Sequence, residues 1–174
     1  MELQGVETIF EALNDAGVEY LVVGGLAVNA HGYVRMTMDV DLVIGLEPEN
    51  ILAGLRALED AGFRPSIPVT HKQFADPANR ERWRAEKDMR VLKLWSDAAP
   101  LTPLDVFVYE PFDFDCEYAA AVRTSIKEGV DVPIVRLATL LSMKEAAGRP
   151  QDLADIDALN RVKDANDEER PPEA

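Results

Sequence analysis

A chain of 174 residues with 18 basic and 32 acidic side chains carries a formal charge of −14, enough length for one domain with a real core and too little for two. So acidic a surface repels nucleic acid unless a basic patch reverses the field locally, which disfavours a large RNA partner. The lone Cys116 excludes an internal disulfide, and with no apolar run of membrane length and no basic leader at Met1-Glu2-Leu3-Gln4, a soluble cytoplasmic protein without a membrane partner is expected.

Val6, Ile9, Phe10 and Leu13 recur at helical spacing before Gly17 and predict an amphipathic first helix. The apolar run Tyr20 to Val23 predicts a strand and leads into Gly24-Gly25. Two glycines after a strand let the backbone approach a ligand and turn its N–H groups toward it, which makes a cradle for an anion such as a phosphate; a plain turn is the simpler alternative. A short helical segment then leads to Asp39 and Asp41, in a run whose Val40, Leu42, Val43 and Ile44 favour a strand. Side chains alternate along a strand, so both carboxylates share a face and repel unless a cation lies between them. A divalent ion with oxygen ligands, Mg²⁺ above all, resolves that repulsion and commonly arrives with substrate phosphates. A solvated strand end is the bland alternative.

Pro48 opens a second helix with Ile51, Leu52, Leu55 and Leu58 as its stripe and Gly62 as its stop. Strand, helix, strand, helix is an α/β alternation. From Phe63 to Ala78 three prolines predict a loop with one short strand, which leaves His71 and Lys72 exposed. Asn79 to Asp88 predicts a short helix bearing Arg80, Arg82, Arg84 and Lys87, followed by Arg90 and Lys93; intervening acids make it a solvated face sooner than an RNA groove, with a contact to triphosphate or acceptor as the alternative. Met89 to Trp95 and Leu104 to Tyr109 predict a β-hairpin. Its second arm holds Asp105 among Leu104, Val106, Phe107 and Val108, where a carboxylate is costly to bury unless paired or ligating a metal. Asp113, Asp115 and Glu117 are expected on the surface, and Thr124 to Lys127 and Val130 to Val135 as a second hairpin.

Near the C-terminus Leu137, Leu140 and Leu141 define a helical stripe on which Lys144 also falls, where it either snorkels or meets an anion. Gly148 ends that helix and Pro150 begins another, with Asp152 in its first turn and Leu153, Ile156 and Leu159 as its buried face. The expectation is an α/β (α+β) fold over residues 1–163, a small mixed sheet flanked by helices with a C-terminal helical pair closing over the site, and an acidic flexible tail at 164–174.

Gly24-Gly25, Arg35, Thr37, Asp39 and Asp41, in the context of Ala27 and His31-Gly32, resemble the core motif of the DNA polymerase beta-like nucleotidyltransferase superfamily and its small bacterial, minimal members. Lys144 and the run Arg149 to Asp155 resemble the lysine and Arg-x-x-Asp-x-x-Asp motifs of the AbiEii-type branch, whose relatives include toxins of toxin–antitoxin pairs. The similarity runs from about Val18 to Leu159; many members have Gly-Ser in place of Gly24-Gly25. The resemblance implies transfer of a nucleoside monophosphate from a nucleoside triphosphate to an acceptor, with two Mg²⁺ held by Asp39, Asp41 and Asp105. It also implies phosphate binding by Gly24, Gly25, Arg35 and Lys144, a catalytic part for Asp105 and for Asp152, and an Arg149 paired with an aspartate. A tRNA 3′ end, a hydroxyl on a partner protein or a small molecule such as an aminoglycoside would suit as acceptor. The alternative is a non-catalytic nucleotidyltransferase fold that binds a cognate toxin or antitoxin.

Overall fold

The computed structural model describes residues 1–168. Helix α1 (Leu3–Asp15) buries Val6, Ile9, Phe10 and Leu13 as their spacing predicts. Then come β1 (Tyr20–Val23), the short α2 (Gly24–Ala30), an extended segment and β2 (Val40–Ile44). β2 runs antiparallel to β1, which places Val23 opposite Asp41. Helix α3 (Pro48–Asp60) carries proline in its first turn and buries Ile51, Leu55 and Leu58. Phe10 stacks on Tyr20 at 5.8 Å between ring centres, and α1 packs on α3. The sheet face bearing Tyr20 and Val22 is thereby sealed.

The stretch 63–78, expected as loop plus one short strand, holds β3 (Arg64–Pro65) and also a helix, α4 (His71–Ala75). A reciprocal cap between Thr70 and Gln73 starts α4 in the space between Pro68 and Pro77. His71 therefore opens a helix, its Nε2 lying 3.4 Å from Glu59 Oε2. Helix α5 (Pro77–Lys87) follows, and its basic residues are not all solvated. Arg80 is buried and donates to the carbonyls of Phe74 and Ala75 at 2.7 and 2.9 Å.

β4 (Val91–Trp95) and β5 (Leu104–Phe107) form the expected hairpin, with Lys93 opposite Asp105. Helix α6 (Phe114–Ala119) is capped by Asp113. Glu117, expected at the surface, is buried, because Arg136 Nε at 3.1 Å and the Thr139 hydroxyl at 2.7 Å both donate to its carboxylate. The second hairpin, β6 (Val122–Lys127) and β7 (Val130–Ile134), precedes α7 (Leu137–Ala147) and α8 (Pro150–Glu168).

All strands join one mixed, seven-stranded sheet in the order β3-β4-β5-β2-β1-β7-β6. Its mixed character matches the expectation, and β7 pairs in parallel with β1 at Val22 and Ile134 and brings β6 with it. β5 lies parallel to β2 with Asp105 opposite Asp41. α2 packs on β1, β2 and α7, and α7 packs on α8. Helix α8 continues to Glu168, past the start of the expected tail at 164, and residues 169–174 of that tail lie outside the described residues. No described helix is long and apolar enough to cross a membrane.

Candidate active site

Two glycines decide what can gather where β1 enters α2. Gly24 has φ +63°, a left-handed conformation that favours glycine, and a Cβ there would lie 1.9 Å from Asp41 Oδ2. A Cβ on Gly25 would lie 2.2 Å from Thr37 Oγ1. The bare backbone thus admits a carboxylate from β2 and a hydroxyl from the segment before it. A serine in place of Gly25 would collide with Thr37 as the chain stands. The hydroxyl of Thr37, a residue to which sequence analysis gave no role, occupies that space.

The segment from Tyr33 to Asp39 is extended and alternates. Arg35, Thr37 and Asp39 turn inward, whereas Val34, Met36 and Met38 are 82%, 86% and 65% exposed. Asn29 fixes the segment by clamping both backbone groups of Arg35, accepting from its N–H and donating to its carbonyl at 3.0 Å each. This holds Asp39 beside the start of β2.

Strand register does the rest. Val23, Asp41, Asp105 and Lys93 form one row across β1, β2, β5 and β4, and side chains in one row share a face. Asp39, Asp41 and Asp105 each bring a carboxylate oxygen within 4.8 Å of the others. Burial, and after it the charges of Asp39 and Asp105, push the Asp41 carboxyl up to about 7. Lys93 Nζ contacts both oxygens of Asp105, at 2.6 and 3.0 Å, and supplies part of the missing positive charge. Sequence analysis placed Lys93 on a solvated basic face; the hairpin register instead turns it toward Asp105.

A second cluster sits alongside. Asp155, fully buried, takes a bidentate pair from Arg35 at 2.6 and 2.7 Å, Lys144 Nζ at 2.6 Å and the Gln151 amide at 3.0 Å. Burial alone would raise its pKa, yet these donors hold it at about 2. Lys144 also meets Asp152 Oδ1 at 3.1 Å, while Asp152 Oδ2 is buried without a hydrogen-bond partner and Arg149 Nε lies 3.9 Å from it. Asp155, which the sequence gave only as the end of the Arg149 to Asp155 run, is the shared partner of Arg35 and Lys144, whereas Arg149 lies nearest Asp152.

Three hard oxygen donors around a charge deficit, with a glycine opening the approach, suit a divalent metal ion. No protein-family profile and no curated protein matches the sequence. Solved structures do. The antibiotic-resistance factor ANT(2″)-Ia superposes with a TM-score of 0.56 at 13% identity, over 94% of this chain and 83% of that one. A candidate nucleotidyltransferase from Thermotoga maritima gives 0.54 at 13%, over 91% and 92%. An antigenic nucleotidyltransferase-like protein from Paracoccidioides brasiliensis gives 0.52 at 21%, over 91% and 75%. The chain therefore has the nucleotidyltransferase fold, and its acidic triad lies in that fold.

Proposed function

We propose that the protein is a Mg²⁺-dependent nucleotidyltransferase that moves a nucleoside monophosphate from a nucleoside triphosphate to an acceptor hydroxyl. The convergence of Asp39, Asp41 and Asp105 carries this reading. Asp39 and Asp41 would hold a pair of ions and Asp105 one of them. Bound Mg²⁺ supplies charge neutralisation for the triphosphate and alignment for attack. Asp105 would also take the acceptor's proton or steady the attacking oxygen. The N–H groups of Gly24 and Gly25 would face the phosphates.

Arg35 reaches toward the same turn, since its Nη1 lies 3.5 Å from the Cβ position of Gly25. Lys144 would add charge from α7, although Asp155 already engages it. Asp152, whose Oδ2 lacks a partner, would support the nucleotide. The resemblance at Lys144 and Arg149 to Asp155 supports an AbiEii-type, toxin–antitoxin setting. The structure of ANT(2″)-Ia bound to adenylyl-2″-tobramycin, which superposes with a TM-score of 0.54 at 12% identity, adds weight to a small cationic acceptor, as does the net charge of −14.

One observation favours the second reading, a partner-binding protein without catalysis: Val34, Met36 and Met38 form an exposed apolar stripe beside the site. The two readings separate on incubation of the full chain with each labelled nucleotide, Mg²⁺ and pools of tRNA, protein and aminoglycoside. Label on one acceptor, absent with Asp39→Ala, is the expected result; no label on any pool would contradict the transferase.

A further inference from the structure

The row that aligns Asp41 and Asp105 ends on Lys93, and the pairing is unequal. The Asp105 side chain is 9% exposed, whereas that of Lys93 is 62% exposed and hinged on a flexible stem. Both carboxylate oxygens of Asp105 face its ammonium, at 2.6 and 3.0 Å, so the same lone pairs that would hold a metal already hold a cation. The Asp39, Asp41 and Asp105 oxygens lie within 4.8 Å of one another, and Lys93 is their nearest mobile positive charge. Lys144, the other lysine beside the site, is fixed by Asp152 and Asp155 with its side chain 7% exposed. Lys93 can leave; Lys144 cannot.

We propose that Lys93 is a stand-in cation, which occupies Asp105 until a divalent ion enters and then swings to the phosphates of the arriving nucleotide. This rests on the transferase reading and adds regulation to it. A metal ion entering alone must displace Lys93 and leave the ammonium without a partner. A metal entering with a triphosphate displaces it onto a new anion. The two ligands therefore assist each other, and the site discriminates against metal alone. That coupling is reciprocal, as any linkage between two bound species must be.

The test uses the full chain and Mn²⁺ as the probe, followed by calorimetry, first without nucleotide and then with a non-hydrolysable triphosphate. Lys93→Met should bind Mn²⁺ alone roughly tenfold more tightly than the native chain, a shift of the size usual for a lost competing charge. In the same variant, the strengthening of Mn²⁺ affinity by triphosphate should be smaller than in the native chain by about the same tenfold. Lys93→Arg should behave as the native chain, and circular dichroism checks that each variant is folded. Equal Mn²⁺ affinities in native chain and Lys93→Met, with triphosphate coupling unchanged, would overturn the role of Lys93 and leave the transferase reading standing. No Mn²⁺ binding by any of the three, with or without triphosphate, would overturn both.

Discussion

Two acidic clusters lie side by side in this molecule, and only one of them is balanced. Around Asp155 and Asp152, the half-buried Arg35 and the buried Lys144 bring cations to the anions. Around Asp39, Asp41 and Asp105, the one direct ion pair among the described residues is that of Asp105 with the largely exposed Lys93. A balanced cluster holds elements together: this one ties the extended segment before β2 to α7 and α8. An unbalanced cluster costs stability unless a cation joins it. Opposite pKa directions express the contrast, with Asp155 held at about 2 and Asp41 pushed to about 7.

The contrast breaks most visibly at Asp39. Asp39→Asn should lower transfer on the order of a thousandfold or more, because the ion it would hold supplies several kcal/mol of stabilisation. The same change should leave the metal-free melting temperature unchanged or higher, since it removes a repelling charge. Asp155→Asn should do the reverse to stability. It leaves Arg35 without its carboxylate and Lys144 with Asp152 alone, and should cost about 3–5 kcal/mol in urea unfolding.

pH sharpens the comparison. Because Asp41 titrates near 7 when folded against an ordinary 3.8, the folded state holds a proton that the unfolded chain has released between those values. Stability of the metal-free protein should therefore fall as pH rises from about 4 to about 7, by up to about 4 kcal/mol, and Asp41→Asn should flatten that slope in thermal melts. Asp155 acts in the opposite sense: its contribution is complete above about 4 and is lost as pH drops toward 2. The smallest effect belongs to Arg149, whose side chain is 76% exposed and 3.9 Å from Asp152. Arg149→Ala should change stability by less than about 0.5 kcal/mol.

Much of this was legible in the chain. The Gly-Gly turn and Asp39-Val40-Asp41 mark their own neighbourhood, although Asp39 lies just before β2 and not in it. Asp105 stood out as an acid in an apolar strand. Lys93 did not, since its partner depends on the register of a hairpin whose turn, residues 96–103, has no diagnostic pair of residues. Asp155 was hidden by distance: it meets Arg35 across 120 positions, and a carboxylate early in a helix already has a local explanation. Glu117 failed similarly, as its neighbouring acids and aromatics suggest a surface while Arg136 and Thr139 draw it inward.

The proposed metal–triphosphate site is tested most directly by calorimetric titration of a non-hydrolysable triphosphate into the full chain with and without Mg²⁺. Binding that requires Mg²⁺ and disappears in Asp39→Ala is the expected outcome. Triphosphate binding that ignores both Mg²⁺ and Asp39, or no binding under any condition, would contradict it.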